Sequence, residues 1–379
     1  MEKIYIGLTA GGTGGHMYPM MAVAEQIKAA AMMQGNDVDL RFFGFPNIFA
    51  KELAKQGIGV ASVAGSKWRR YGSILNFLDI FKFGFGFLQA LWKLFWFMPD
   101  ALFSKSGPGA MPVILAARWY RIPVVIHETD AVPGRSNVLA SKFASRVEVS
   151  FAESVALFPE AAQKIAKVVG NPVREAVLIE ESRAQSRAAL KLPDTKPVLL
   201  VLGGSQGAAA INYFILEHSE MLLREFEIVH QIGSANFDGF LKEWNFMTKN
   251  FPPELKQNYF PYAFFDEQNL AHALNASDLV VARSGGTVFE IAAHAKPAIL
   301  VPLPESANGH QLANAYAYQA AGAGIVLEEP NLLIGIFMDQ ARKLTQASDA
   351  VAKMREAAKA FYKPNAARQI AEDVLSLAV

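Results

Sequence analysis

The sequence contains no cysteine. Thiolate catalysis, disulfide bonds and cysteine-ligated zinc are therefore excluded. It has no excess of charge of either sign: 36 basic side chains balance 35 acidic ones, for a net charge of +1. Wrapping nucleic acid requires many phosphates to be neutralised, so this balance argues against nucleic acid as a partner. The 7 histidines are scattered and form no H-E-x-x-H pattern, so no metal site is supported. No glycine loop carries the lysine of a P-loop, which argues against nucleotide hydrolysis by that route. A charged leader with an apolar run and a small-residue cleavage site is also missing at the start, and the cytoplasm is the simplest address.

What is abundant is apolar surface and a repeated grammar. Apolar residues make up 52% of 379 positions, enough for large cores, and at this length two domains are the default. Residues 4–10 read as a strand, followed by an amphipathic helix over Pro19–Met33 and strands at "VDLRFFGF" (38–45), "IGVASVA", "DALFSKSG" (100–107) and "IPVVIHE" (122–128). Helical segments lie between them, which is the alternation of a parallel sheet covered on both faces. The pattern restarts after "NPVR" (171–174) with "VLLVLGGSQGAAAINYFI" and continues through "FEIVHQIG", "ASDLVVARSGG" and "KPAILVPLP". Two doubly wound α/β domains, joined near 170–174, are expected. Residues 359–379 read as helical, without a sign of which domain they join.

Three glycine loops sit where a strand gives way to a helix: "GGTGGH" (11–16), "GGSQG" (203–207) and "RSGGTVFE" (283–290). Free amides and the dipole at such a helix start favour a phosphate. None matches the dinucleotide fingerprint, since the first loop has Met17 where a glycine is wanted. Tight turns without a ligand explain any one loop; three together favour anion sites. His16 ends the first loop at a helix start, where its ordinary pKa suits proton transfer, although a lone histidine is often structural. His127 and Glu128 close another strand at its carboxyl end, and Glu128 reads as a brace or a hydroxyl ligand. Glu290 suits ribose hydroxyls, or is simply a first-turn acid. Gln311 and Asn314 share a helix face and offer amides to sugar hydroxyls, a weak signal alone.

The segment 68–100, "WRRYGSILNFLDIFKFGFGFLQALWKLFWFMPD", is dense in aromatics, among them Trp68, Phe77, Phe81, Phe85, Trp92 and Trp96. Its uncharged stretch, Phe83 to Trp92, is too short to span a bilayer. Buried core is one reading. Lys67, Arg69, Arg70, Lys82 and Lys93 close by favour another, a patch lying on an anionic membrane surface.

In family order across nearly the whole chain run "GGTGGHMYP" (11–19), "HETDAVPGRSN" (127–137), "GNPVR" (170–174), "LGGSQGA" (202–208), "RSGGTVFEIA" (283–292), "KPAILVPLP" (296–304) and "HQLANA" (310–315). Together these blocks resemble the MurG glycosyltransferases. The resemblance implies a GT-B fold, two Rossmann-like domains facing a cleft. Residues 1–170 would form the acceptor and membrane-associating domain, with 360–379 packing back on it, and 171–359 the UDP-sugar domain. It implies inverting transfer of N-acetylglucosamine from UDP-N-acetylglucosamine to a muramyl-pentapeptide on undecaprenyl diphosphate, without metal or cofactor, at the cytoplasmic face of the cell membrane. Membership of a cell-wall synthesis complex is a further implied partnership.

By the same resemblance, Gly12, Thr13, Gly14 and Gly15 would hold the acceptor diphosphate, and His16 would be the candidate general base, with Glu128 next. His127, Glu128 and Asn137 would belong to the acceptor side. Arg174, Ser205 and Gln206 would contact the donor phosphates or the residues holding them. Phe265 would meet the uracil through its backbone, Glu290 the ribose, and Gln311 and Asn314 the N-acetylglucosamine. One departure stands out: the family usually reads "HEQN" where Thr129 and Asp130 follow His127 and Glu128 here. Other readings of the same residues are a different GT-B transferase acting on diacylglycerol or a secondary metabolite, a UDP-sugar 2-epimerase, or a non-enzymatic scaffold.

Overall fold

A computed structural model describes residues 3–65, 74–105, 107–204 and 207–378, with backbone only for 74–80. The chain divides into two compact units, Met1–Arg174 with Lys363–Val379, and Glu175–Tyr362. In the first, β1 (Lys3–Ala10), β2 (Asp37–Gly44), β3 (Gly59–Ser62), β4 (Ala101–Lys105), β5 (Val124–Glu128), β6 (Arg146–Val149) and β7 (Ala166–Val168) form one sheet in the order β3-β2-β1-β4-β5-β6-β7. Its pairings are parallel. Its helices include α1 (Gly14–Met33), α2 (Ala50–Lys55), α3 (Ile74–Phe97), α4 (Met111–Trp119) and α5 (Arg135–Ala140).

The strands are continuous apolar runs because both faces are covered. On one face Ile4, Ile6 and Leu8 of β1 pack with Met17, Met20 and Ile27 of α1; on the other, Leu102 and Ile126 pack with Leu94 of α3 and Val113 of α4.

In the second unit β8 (Val198–Leu202), β9 (Glu227–Gln231), β10 (Tyr259–Tyr262), β11 (Leu279–Ala282), β12 (Ala298–Leu300) and β13 (Ile325–Val326) pair in parallel in the order β10-β9-β8-β11-β12-β13. Counted from its own first strand, each sheet has the same winding. Each therefore reverses direction beside its first strand, between β1 and β4 and between β8 and β11. Crevices at such reversals, beyond the carboxyl ends of the strands, are where doubly wound sheets hold ligands.

Two boundaries differ from the sequence reading. Helix α1 starts at Gly14, five residues before Pro19. Thr13 is extended (φ −105°, ψ 157°) and its carbonyl accepts from the Met17 amide at 3.0 Å, closing the first turn. Pro19 only removes the bond to the Gly15 carbonyl, so it does not set the start.

The segment 359–379 is not one helix. One helix, Asp349–Phe361, ends and another, Ala366–Ala378, begins. Pro364 lies between them, and a proline disfavours helical backbone in the residue before it. Ile370, Val374 and Leu375 of the last helix are buried against β1 and α1. At about 1.5–3 kcal/mol per large apolar side chain, this burial is the main force docking that helix to the first unit.

Candidate functional site

At the β1/β4 reversal the glycine loop lies on the β4 end. Gly107, at φ +102°, packs so closely that a Cβ there would stand 2.8 Å from the Gly11 Cα. Gly12 and Gly15 face open space, where an added Cβ would meet nothing within 4 Å. No side chain caps α1, and Thr13 Oγ1 instead lies 2.7 Å from His16 Nδ1. The loop thus presents bare backbone and uncapped first-turn amides beside a half-buried imidazole.

The β5 end next to it is a buried polar knot. Both oxygens of Glu128 serve the following loop, accepting from the Asp130 amide (3.0 Å), the Gly134 amide (2.9 Å) and Asn137 Nδ2 (2.9 Å). Burial, then the neighbouring Asp130 charge, pushes the Glu128 pKa up, against the pull of those three donors. His127 Nε2 is 2.9 Å from the Gly170 carbonyl, which only accepts, so Nε2 carries the proton. Its Nδ1 then accepts from Lys105 Nζ at 2.6 Å. Burial, then the Lys105 charge, holds His127 well below the ordinary histidine range, so the ring is neutral.

Lys105 also donates to Thr129 Oγ1 and is fully buried. It was missed in the sequence because it reads as one residue of an apolar strand. The only cue was a lysine in the middle of "LFSKSG". Arg174 lies with its guanidinium 3.9 Å from the Tyr18 ring centre, over the second turn of α1.

The second unit repeats the design at the β8/β11 reversal. Gly207 has φ +78°, and a Cβ on it would fall 2.2 Å from the Ile232 carbonyl oxygen, so only glycine fits. Ser205 and Gln206 lie outside the described residues. Gln231, unremarked in the sequence, ties this loop to its neighbour: its Nε2 donates to the Gly204 carbonyl at 3.0 Å, and its Oε1 accepts from the Phe265 amide at 3.1 Å.

Across the reversal, Asn314 is fully buried and donates to the Ser284 carbonyl at 2.9 Å. Ser284 Oγ donates to the Gln311 carbonyl, and Gln311 Oε1 accepts from the Leu303 amide at 3.0 Å. The Asn314 amide and the Gln311 backbone carbonyl thus brace the "RSGG" turn, below the first turn of the helix Thr287–Ala293 that carries half-buried Glu290, while the Gln311 side chain holds the segment after β12.

Helix α3 has two apolar stripes. Leu94, Ala90 and Phe97 face the core, while Phe81, Phe85, Leu88, Trp92, Phe95 and Trp96 are each more than half exposed. At 100° per residue the exposed set spans about 100° of the opposite face; Leu88 and Phe95 belong to it although the sequence reading did not name them, and the helical period was the signal for both. Trp119, at the end of α4, is 72% exposed. Trp68 and the Phe77 side chain lie outside the described residues. Among the described residues, no helix is long and apolar enough to cross a membrane.

The glycosyltransferase family 28 N-terminal domain matches residues 6–149 and the family 28 C-terminal domain residues 198–372. The chain is 36% identical over 345 residues to a UDP-N-acetylglucosamine–N-acetylmuramyl-(pentapeptide) pyrophosphoryl-undecaprenol N-acetylglucosamine transferase of Treponema denticola, covering 89% of this chain and 87% of that one. It is 33% identical over 335 residues to the protein of the same name from Clostridium botulinum, covering 88% of each. Among solved structures it is similar to Acinetobacter baumannii MurG, with a TM-score of 0.73 at 26% identity over 98% of this chain and 99% of that one. A UDP-GlcNAc 2-epimerase from Neisseria meningitidis shares the fold, with a TM-score of 0.66 at 15% identity over 99% of this chain and 100% of that one.

Proposed function

Since the chain belongs to the MurG family of glycosyltransferases, with two Rossmann-like domains of the GT-B class, we propose that it moves N-acetylglucosamine from UDP-N-acetylglucosamine to the C4 hydroxyl of an undecaprenyl-diphospho-N-acetylmuramyl-pentapeptide, forming the disaccharide lipid precursor of peptidoglycan. The observation that carries this reading is the pair of glycine loops, each opening a helix at the reversal of its own sheet. Two anion-binding backbone sites suit a reaction whose donor and acceptor both carry a diphosphate.

The first unit takes the acceptor. Residues 12–15 offer uncapped amides to its diphosphate, and His127, Glu128 and Asn137 hold the adjoining loop. The second unit takes the donor, with Glu290 at the ribose and Phe265 at the base. Gln311 and Asn314 shape the turn against which the N-acetylglucosamine lies. Ser205 and Gln206 would complete the phosphate loop, and Arg174 would add positive charge for the donor phosphates.

In the reaction the acceptor oxygen bonds to C1 of the sugar as the bond from C1 to the diphosphate oxygen breaks on the opposite face. Configuration inverts, and the electron pair leaves with UDP. Helix-start amides and Arg174 stabilise that negative charge. The hydroxyl proton passes to His16. Glu128 suits the role less, because both its oxygens are taken by the loop. The exposed aromatic stripe of α3, with Lys82 beside it, would rest on anionic lipid and bring the site to a lipid-borne substrate, as a peripheral protein of the cytoplasmic membrane face.

Incubating the protein with UDP-N-acetylglucosamine and a short-chain analogue of the lipid acceptor tests the reading by mass spectrometry. The acceptor is expected to gain one N-acetylhexosamine. An epimerised UDP-sugar formed without acceptor, or an unchanged acceptor, would reject it.

A further inference from the structure

Lys105 is a fully buried lysine with no role in the chemistry above. Its position is specific. It is the last residue of β4, in register with Ala10, the last residue before the first glycine loop. Two residues on, Gly107 presses against Gly11 of that loop. Its amine donates to Thr129 and to His127 Nδ1, and His127 in turn donates to the Gly170 carbonyl. Glu128 ties down residues 130–134 from the other face of the strand. The loop that follows β5 is thus held on one side by Glu128 and on the other by Lys105.

Burying an ammonium is costly unless it is well partnered, and both groups that accept from it are neutral. Burial pushes its pKa down to about 7, while the Glu128 and then the Asp130 charges work against that fall. A methionine would fill the space without this cost, so core packing does not account for the residue. Thr129 and Asp130 both suit this amine. The threonine oxygen accepts from the amine, and the carboxylate lends it opposite charge.

We propose that Lys105 is a positioning residue for the lipid-linked acceptor: through Thr129 and His127 it fixes the 127–134 loop beside the 11–16 loop, and Lys105, Thr129 and Asp130 work as one matched set. This inference rests on the acceptor being bound by the first unit, as proposed above. Both protonation states of the amine can donate to its two acceptors, so the positioning does not depend on the charge alone.

The test is a double-mutant cycle with Lys105→Met and Thr129→Val, the second removing one hydroxyl at constant shape. Initial rates are measured with the acceptor analogue and with UDP-N-acetylglucosamine varied separately, and thermal unfolding is recorded alongside. Each single variant is expected to lower kcat/KM for the acceptor by about tenfold, the scale of one hydrogen bond to a charged group, with the donor KM unchanged. The double variant is expected to be no worse than Lys105→Met, because the hydroxyl acts through the amine. Unchanged acceptor kinetics in Thr129→Val, losses that multiply in the double variant, or equal shifts in both KM values would overturn the proposal. A lower unfolding temperature with normal acceptor kinetics would mean a merely structural lysine and would overturn it too. If Lys105→Met does not fold, Thr129→Val alone decides. Wild-type protein that makes no product would refute the proposed function instead.

Discussion

Replacing Trp92 and Trp96 by serine gives the sharpest test of the exposed face of α3. The two rings are 64% and 68% exposed and stack edge to face at 5.6 Å. They support no core, so the double variant should keep its unfolding temperature to within a degree or two, as surface changes usually do. With about 250 Å² per tryptophan side chain, the pair presents roughly 330 Å² of mostly apolar surface. Moving about half of that out of water is worth roughly 4 kcal/mol at about 25 cal/mol/Å², on the order of a thousandfold in partition. The assay is co-sedimentation with vesicles of phosphatidylglycerol and phosphatidylcholine at fixed ionic strength. Wild-type protein is expected to pellet with the vesicles and the variant to stay in the supernatant, while transfer to a detergent-dispersed acceptor is retained. Added salt should weaken binding only in part, because screening acts on Lys82 and its basic neighbours and not on the rings. Equal pelleting of the two proteins would refute the membrane face, and the aromatic stripe would then need another partner.

Three more outcomes follow from the geometry. His16→Ala should reduce kcat by about 100-fold or more, the usual range for loss of a general base, and leave the calorimetric affinity for UDP-N-acetylglucosamine unchanged; near-normal turnover would remove His16 from the chemistry. Gly207→Ala forces a Cβ onto the Ile232 carbonyl at a left-handed backbone position, so donor binding should be lost and the second unit destabilised by more than about 1 kcal/mol, read by calorimetry and thermal unfolding. Glu148 on β6 is buried, and burial, then the carboxyl of Asp373 on the last helix, pushes its pKa up to about 8. Its folded-state proton affinity exceeds its unfolded one, so its contribution to stability is fully present below pH ~4.5 and is lost as pH rises toward 8, at about 1.4 kcal/mol per pH unit at most. Glu148→Gln should flatten that decline in thermal unfolding between pH 5 and 8.5, and an unchanged slope would show that Glu148 is not its source.

The order of apolar runs, glycine loops and amphipathic stretches was enough to write down an α/β chain of two doubly wound halves. Local chemistry sufficed because a strand buried on both faces must be a continuous apolar run, and a loop of glycines before a helix has few other uses. The same locality placed His16 at a helix start and marked the aromatic stripe, whose period is visible along one helix. Only the tertiary structure decided what each polar side chain touches. Asn314 and Gln311 sit three apart, as sequence shows, but the Asn314 amide braces the "RSGG" turn and the Gln311 amide accepts from Leu303, each in another segment. Gln231 and Lys105 were hidden inside strands, since a buried polar group is recognised by partners 20 or more residues away in sequence: Gly204 and Phe265 for one, His127 and Thr129 for the other. The last helix likewise carries its apolar face in its own sequence, but that face could serve either unit. Burial of Ile370, Val374 and Leu375 against β1 and α1 assigns it to the first, because periodicity specifies that a face must be covered and not by what.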